Sequence, residues 1–155
     1  MHFRRVCRPV AAWLFALAVL GCGSDRYIVI GTARAPSTSG FVEVTGTSDA
    51  STRLKVRMEQ LHAANSLDPA FHAYVVWFEG LAEGKGTPSA PAARASKLPA
   101  VRAGSLRYSP DDRVGELQAT SPYRKFVVKI TAEANDKPSA PGPFVVATQE
   151  ISTPD

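Results

Sequence analysis

The 155-residue chain reads as all-β: an antiparallel, immunoglobulin-like β-sandwich of about seven to eight strands that follows a cleaved signal peptide. Three observations predict this class. Short apolar or alternating runs recur from residue 27 to residue 151, each bounded by turn residues, and none is sustained at a helical period. Gly and Pro number 11 and 12, which suits many turns and disfavours a helical bundle. Trp77 lies in a run that is apolar on both faces, as a central sandwich strand would be. A small closed barrel is the alternative arrangement. With 45% apolar and 21% charged residues, the chain has the composition of a globular domain.

Residues 1–21 read as an address rather than as fold. Arg4, Arg5 and Arg8 make a positive start, and residues 10–20 (VAAWLFALAVL) form an apolar run. That run falls short of the roughly 20 residues a membrane-spanning helix needs, and it suits the core of a signal peptide. It ends in Val19-Leu20-Gly21-Cys22, which resembles the lipobox of bacterial lipoproteins. The resemblance implies that Val19, Leu20 and Gly21 are read by the signal peptidase, Gly21 being small enough for cleavage before Cys22. It also implies that the Cys22 thiol carries a diacylglyceryl group. Each buried methylene contributes about 0.8 kcal/mol, so two or three acyl chains hold a protein on a membrane almost permanently. Cys7 and Trp13 are then removed with the leader.

Removal also changes the charge. All 14 acidic residues follow Cys22 but only 15 of the 18 basic ones do, so the mature chain is near +1. No basic cluster with interleaved aromatics remains, and nucleic acid is not an expected partner. Residues 22–26 form a short lipidated tether reaching on the order of 15 Å. Residues 27–155 form the sandwich domain.

The strands follow in order. Residues 27–32 (YIVIGT) start almost at once, and residues 40–45 (GFVEVT) carry Val42 and Val44 two apart. Residues 53–61 alternate: Leu54, Val56 and Met58 on one face, Arg53, Lys55, Arg57 and Glu59 on the other, as a half-buried strand requires. Asp68-Pro69 limits any helix begun at residues 60–65 to one turn. Residues 72–78 (HAYVVWF) make the central strand. Residues 82–99 are rich in Ala, Pro, Gly and Ser and read as a long flexible loop. Strands at 101–108 and 114–119 flank the turn Ser109-Pro110-Asp111-Asp112. Residues 126–133 put Phe126, Val128, Ile130 and Ala132 inward and Lys129, Thr131 and Glu133 outward, and residues 144–151 close the fold.

Several pieces share an order with a known family: Tyr74-Val75-Val76-Trp77, Ala103-Gly104-Ser105-Leu106, Gly115-Glu116-Leu117, Ser121-Pro122-Tyr123, residues 126–133, then Pro138 and Gly142-Pro143. Over about residues 54–146 the chain resembles the extracytoplasmic domain of anti-sigma-K-factor-like membrane proteins. The resemblance implies a sandwich and a non-enzymatic domain. It does not imply control of a sigma factor, because the family's cytoplasmic sigma-binding segment and transmembrane helix have no counterpart here.

Residues that could carry chemistry are few. His62 and His72 lack metal-ligand spacing, and no Gly-x-Ser-x-Gly elbow accompanies them, so neither a metal nor a catalytic triad is expected. Asp111, Asp112 and Glu116 resemble part of a calcium loop but read more simply as a polar turn. Trp77 is expected in the core. Tyr108, Tyr123 and Arg124 flank turns and are candidates for exposed contacts. No cofactor or catalytic residue is expected. The leading expectation is a non-enzymatic lipoprotein of the bacterial cell envelope, bound to the membrane through Cys22 and meeting an envelope protein partner. The alternatives are a small-molecule carrier or sensor and, last, a hydrolase. Gly23, in place of an Asp after the lipidated Cys, favours the outer membrane.

Overall fold

The computed structural model describes residues 25–48, 51–82 and 97–153. Among the described residues there are nine strands: β1 (Asp25–Ile30), β2 (Ser39–Ser48), β3 (Ser51–Glu59), β4 (Ala73–Leu81), β5 (Lys97–Ser105), β6 (Arg107–Ser109), β7 (Val114–Ser121), β8 (Lys125–Glu133) and β9 (Val145–Ser152). They form two antiparallel sheets, ordered β1-β2-β3-β7-β6 and β5-β4-β8-β9. Leaving β1 aside, β2-β3-β7-β6 facing β9-β8-β4-β5 reproduces the immunoglobulin strand order. β1 is an extra edge strand on β2, and an isolated bridge from Gly31 to Ala147 ties its end to the opposite sheet.

The alternation in β3 and β8 does what periodicity two demands. Leu54, Val56 and Met58 from one sheet meet Phe126, Val128, Ile130 and Ala132 from the other, all buried. Tyr74, Val76 and Phe78 of β4 complete the core, and the Phe78 and Phe126 rings meet edge to face at 5.2 Å. Each such large side chain contributes about 1.5–3 kcal/mol relative to exposure. Between β3 and β4 the chain makes one helical turn, α1 (Ala64–Leu67). Asp68 ends it by accepting from the Ala70 N–H through its side chain and from the Phe71 N–H through its carbonyl.

The structure differs from expectation at four places. First, the predicted strand 101–108 is two strands in different sheets: β5 pairs with β4, and β6 pairs with β7. The crossing is at Leu106, whose side chain is buried and whose N–H donates to the Tyr74 carbonyl. Just before it, Val76 pairs with Gly104 and Trp77 with Arg102, so Ala103 is the extra residue of a β-bulge. Gly104 sits at φ +146°, a conformation that favours glycine. Second, β5 begins at Lys97, inside the loop expected at 82–99; residues 83–96 of that loop lie outside the described residues. Third, β1 begins at Asp25, so only residues 23 and 24 separate it from Cys22 in sequence.

Fourth, Trp77 is buried but not between the sheets. Tyr74, Val76 and Phe78 point inward, so Val75, Trp77 and Glu79 point to the outer side of the four-stranded sheet. All three are nevertheless buried. In a strand apolar on both faces, hydropathy alone does not say which face carries the aromatic.

Candidate functional site

Each sheet has one face in the core, which leaves the two outer faces, the sheet edges and the loops accessible to a partner. On the outer side of the four-stranded sheet the part around Trp77 is closed. Register places Trp77 beside Lys129 of β8 and Arg102 of β5. The indole Nε1–H donates to Thr131 Oγ1 at 2.9 Å. Thr131 Oγ1 in turn donates to Glu133 Oε1 at 2.5 Å, which also accepts from the Gly142 N–H at 2.7 Å. Glu79 is ion-paired to Lys129. The β8–β9 loop folds over this side, with the Asp136 carbonyl accepting from Arg102 Nη1 and Ser105 Oγ at 3.0 Å each. The pattern inward–outward was read correctly for Thr131 and Glu133, yet both are buried, because polar groups can face outward and still be covered when hydrogen bonds within the protein replace those to water.

The outer face of the five-stranded sheet is open. Ile28 and Ile30 on β1 are 63% and 70% exposed. Ile28 pairs with Phe41 of β2, over whose ring the Arg26 guanidinium lies at 4.1 Å. Further across the face, a shallow groove of about 690 Å³ runs over β3, β7 and β6, bordered by Arg57, Glu59, Arg107, Tyr108 and Glu116. Arg57 is its hub: Nε donates to Glu59 at 3.0 Å and Nη1 donates to Glu116. Lys55 Nζ stands 3.5 Å from the same Glu116 oxygen. The Arg57 hydrogen bond, with help from the charges of Lys55 and Arg57, holds the Glu116 carboxyl below the usual range. Hydrogen bonds to Glu59 and Glu116 raise Arg57 in turn.

The other sequence-predicted candidates scatter. Asp112 accepts from Ser109 Oγ at 3.0 Å within the β6–β7 turn, while Glu116 is engaged by Arg57, so the three acids of the suspected calcium loop do not converge. Among the described residues no group of three or more His, Cys, Asp or Glu could hold a metal ion. His62 is exposed, and its ring nitrogens face the Arg113 guanidinium (3.0 Å to Nε2) and Ser37 Oγ (3.5 Å) rather than a carboxylate that would orient it. Arg113 and Gln60 both adopt positive φ near 54°, and the Arg113 carbonyl accepts from the Leu61 N–H. His72 is exposed at the start of β4, remote in role from this cluster, its N–H bonded to the Glu133 carbonyl.

Tyr108, Tyr123 and Arg124, expected as exposed contacts, are half-buried and structural. Tyr108 Oη donates to the Leu61 carbonyl at 3.1 Å, and its ring meets Tyr74 edge to face. Burial, and secondarily Tyr108, push the Tyr74 phenol well above its ordinary value. The Tyr123 ring covers Gly80, where a β-carbon would lie 2.8 Å from it. The Arg124 carbonyl accepts from both the N–H and hydroxyl of Thr153. Turn-flanking aromatics in a sandwich have polar tips that close its corners, which is why position near a turn misled.

Val19, Leu20, Gly21 and Cys22 lie outside the described residues. Sequence reading missed the exposed Ile28 and Ile30. The only available signal was that YIVIGT is apolar at consecutive positions while starting an edge of the sheet, so half of it had to face away from the core. Compared with known proteins, the chain matches no family model, no curated protein and no solved structure.

Proposed function

We propose that the protein is a non-enzymatic lipoprotein of the bacterial cell envelope, fixed to a membrane by acyl chains on Cys22 and acting as a structural or protein-interaction module. The observation that carries this reading is the ordered string of basic start, apolar core and Val19-Leu20-Gly21-Cys22, followed almost directly by a strand at Asp25. A domain that starts two residues after its anchor is held against the bilayer and presents its faces to whatever lies there. Packing favours this over a carrier: the space between the sheets is filled by Val42, Val56, Met58, Phe78, Phe126 and Ile130, and the groove on Arg57 and Arg107 lies outside it.

The resemblance to the extracytoplasmic domain of anti-sigma-K-factor-like proteins supports the same class of role. Its motif residues fall in β4, β5, β7, β8 and the loop before β9, that is, in the sandwich frame rather than in a reactive cluster. The near-neutral mature charge gives no reason to bring in nucleic acid, and Gly23 favours the outer membrane. The test is metabolic labelling with a palmitate analogue. The wild-type chain incorporates the label, and Cys22→Ser abolishes it and leaves precursor or released protein. Unchanged labelling in Cys22→Ser contradicts the proposal.

A further inference from the structure

We infer that the β1–β2 side of the five-stranded sheet's outer face is a docking surface for the anionic bilayer into which Cys22 is anchored. This deepens the lipoprotein reading and rests on it. The face combines two chemistries that a membrane interface takes up together. One is apolar: Ile28 and Ile30, 63% and 70% exposed, stand two residues apart on one side of an edge strand, with Phe41 beside Ile28. Among the described residues these two are the most exposed large hydrophobic side chains, and with Phe41 they make one contiguous patch rather than scattered single residues. The other is basic. The carboxylates on this face are already matched: Glu43 lies 4.0 Å from Arg26, and Glu59 and Glu116 are held by Arg57. Arg53, on β3 next to β2, makes no ion pair among the described residues, and Lys55 and Arg57 share the one Glu116 carboxylate, so the charge left over on this side is positive.

Position selects the occupant. Arg26, Lys55 and Arg53 lie toward the end of the sheet where β1 begins, since Arg26 pairs with Glu43, Glu43 with Lys55, and Arg53 lies two residues before Lys55. That is the end at which the chain enters β1, two residues after Cys22 in sequence. Asp111 and Asp112, in the β6–β7 turn, lie at the opposite end, beyond the Ser109–Val114 pair. An extended chain advances about 3.3 Å per residue, so Ile28, six residues on, lies within about 20 Å of Cys22. A protein tethered this closely sweeps only the lipid surface around its own anchor. A basic rim attracts anionic headgroups, and apolar side chains beside it enter the boundary with the acyl chains. The cation–π stacking of Arg26 on Phe41 holds a guanidinium at the border between the two regions.

The experiment uses the full chain, Cys7→Ser, expressed, processed and reconstituted into vesicles of phosphatidylcholine and phosphatidylglycerol with brominated acyl chains. A small polarity-sensitive fluorophore is placed on Ile30→Cys or, as the control, on Thr148→Cys, which is exposed on the outer side of the opposite sheet. Mass measurement of each sample reports whether Cys22 carries lipid. The expected result is a blue-shifted Ile30 probe quenched several-fold more strongly by bromine than the Thr148 probe. The difference should shrink in the Arg53→Gln, Lys55→Gln double variant and in vesicles of phosphatidylcholine alone. Equal, water-like emission from both probes on lipidated protein overturns the docking surface and leaves the anchor standing. A blue shift at Ile30 that rises with protein density and is untouched by bromine also overturns it, because a second copy then covers the patch. Absence of lipid on Cys22 overturns the anchor and the docking surface with it.

Discussion

The two outer faces of the sandwich invert what their sequences suggest. β4 offers Val75 and Trp77 to the outer side of the four-stranded sheet, and both are sealed from water. β1 offers Ile28 and Ile30 to the outer side of the five-stranded sheet, and both are open. The cause is not hydropathy. Beside Trp77 stand residues able to build a roof: Lys129 and Arg102 in register on either side, Thr131 for the indole N–H, and a loop whose Asp136 carbonyl is held by Arg102 and Ser105. Among the described residues Ile28 has Phe41, Arg26 and Ile30 beside it on an edge strand, and it stays 63% exposed. An apolar outward position becomes core when neighbouring polar groups can be satisfied above it. Otherwise it stays a surface.

Breaking the sealed face should cost most. Trp77→Ala removes a buried aromatic and leaves Thr131 without its donor, and should lower stability by about 3–5 kcal/mol in urea unfolding. Thr131→Val keeps the shape but orphans the indole N–H and one partner of Glu133, for a loss of about 1–3 kcal/mol. A value near zero would mean that water replaces the hydroxyl and the face is not sealed. Gly142→Ala tests the roof from the other side. Its β-carbon would lie 2.7 Å from a Glu133 oxygen, so the carboxylate must move off the Gly142 N–H, at about 1 kcal/mol.

The open face should answer weakly. Glu116 titrates below its ordinary value because Arg57 donates to it, so the unfolded chain takes up this proton at a higher pH than the folded one. Its stabilisation is therefore complete above the ordinary carboxylate range and is lost as pH falls through the lowered value. Glu116→Gln should flatten the acid limb of a stability–pH curve slightly and change neutral stability little, since exposed ion pairs contribute little. Ile30→Ser should change stability by less than about 0.5 kcal/mol, because its side chain is already in water. A large loss would show that β1's outer side is part of a packed core.

The same contrast explains how much could be read beforehand. Strict alternation in residues 53–59 and 126–133 identified inner and outer sides because one side was charged, and the sandwich followed. Residues 73–78 and 27–30 are apolar at consecutive positions, so they announced strands but not the direction of Trp77, Ile28 or Ile30. The change of sheet at Leu106 was hidden for a related reason. The run 101–108 has no turn signal in it, and the bulge at Ala103 blurs its alternation. Gly104 was the one residue in the run that hinted at a special backbone. The Trp77–Thr131–Glu133–Gly142 chain joins residues up to 65 positions apart, and spacing along the sequence carries no trace of it.

Iodide quenching of tryptophan emission tests the contrast between sealed and open faces most directly. With Trp13→Phe, Trp77 is the only tryptophan in the chain. The same chain carrying Trp77→Phe and Ile28→Trp reports the open face instead, since Ile28 is 63% exposed. The structure predicts blue-shifted emission, barely quenched by iodide, from Trp77 and red-shifted, readily quenched emission from position 28 in the absence of vesicles. Equal quenching at the two positions would contradict the account, because the faces would then differ in sequence but not in access to water.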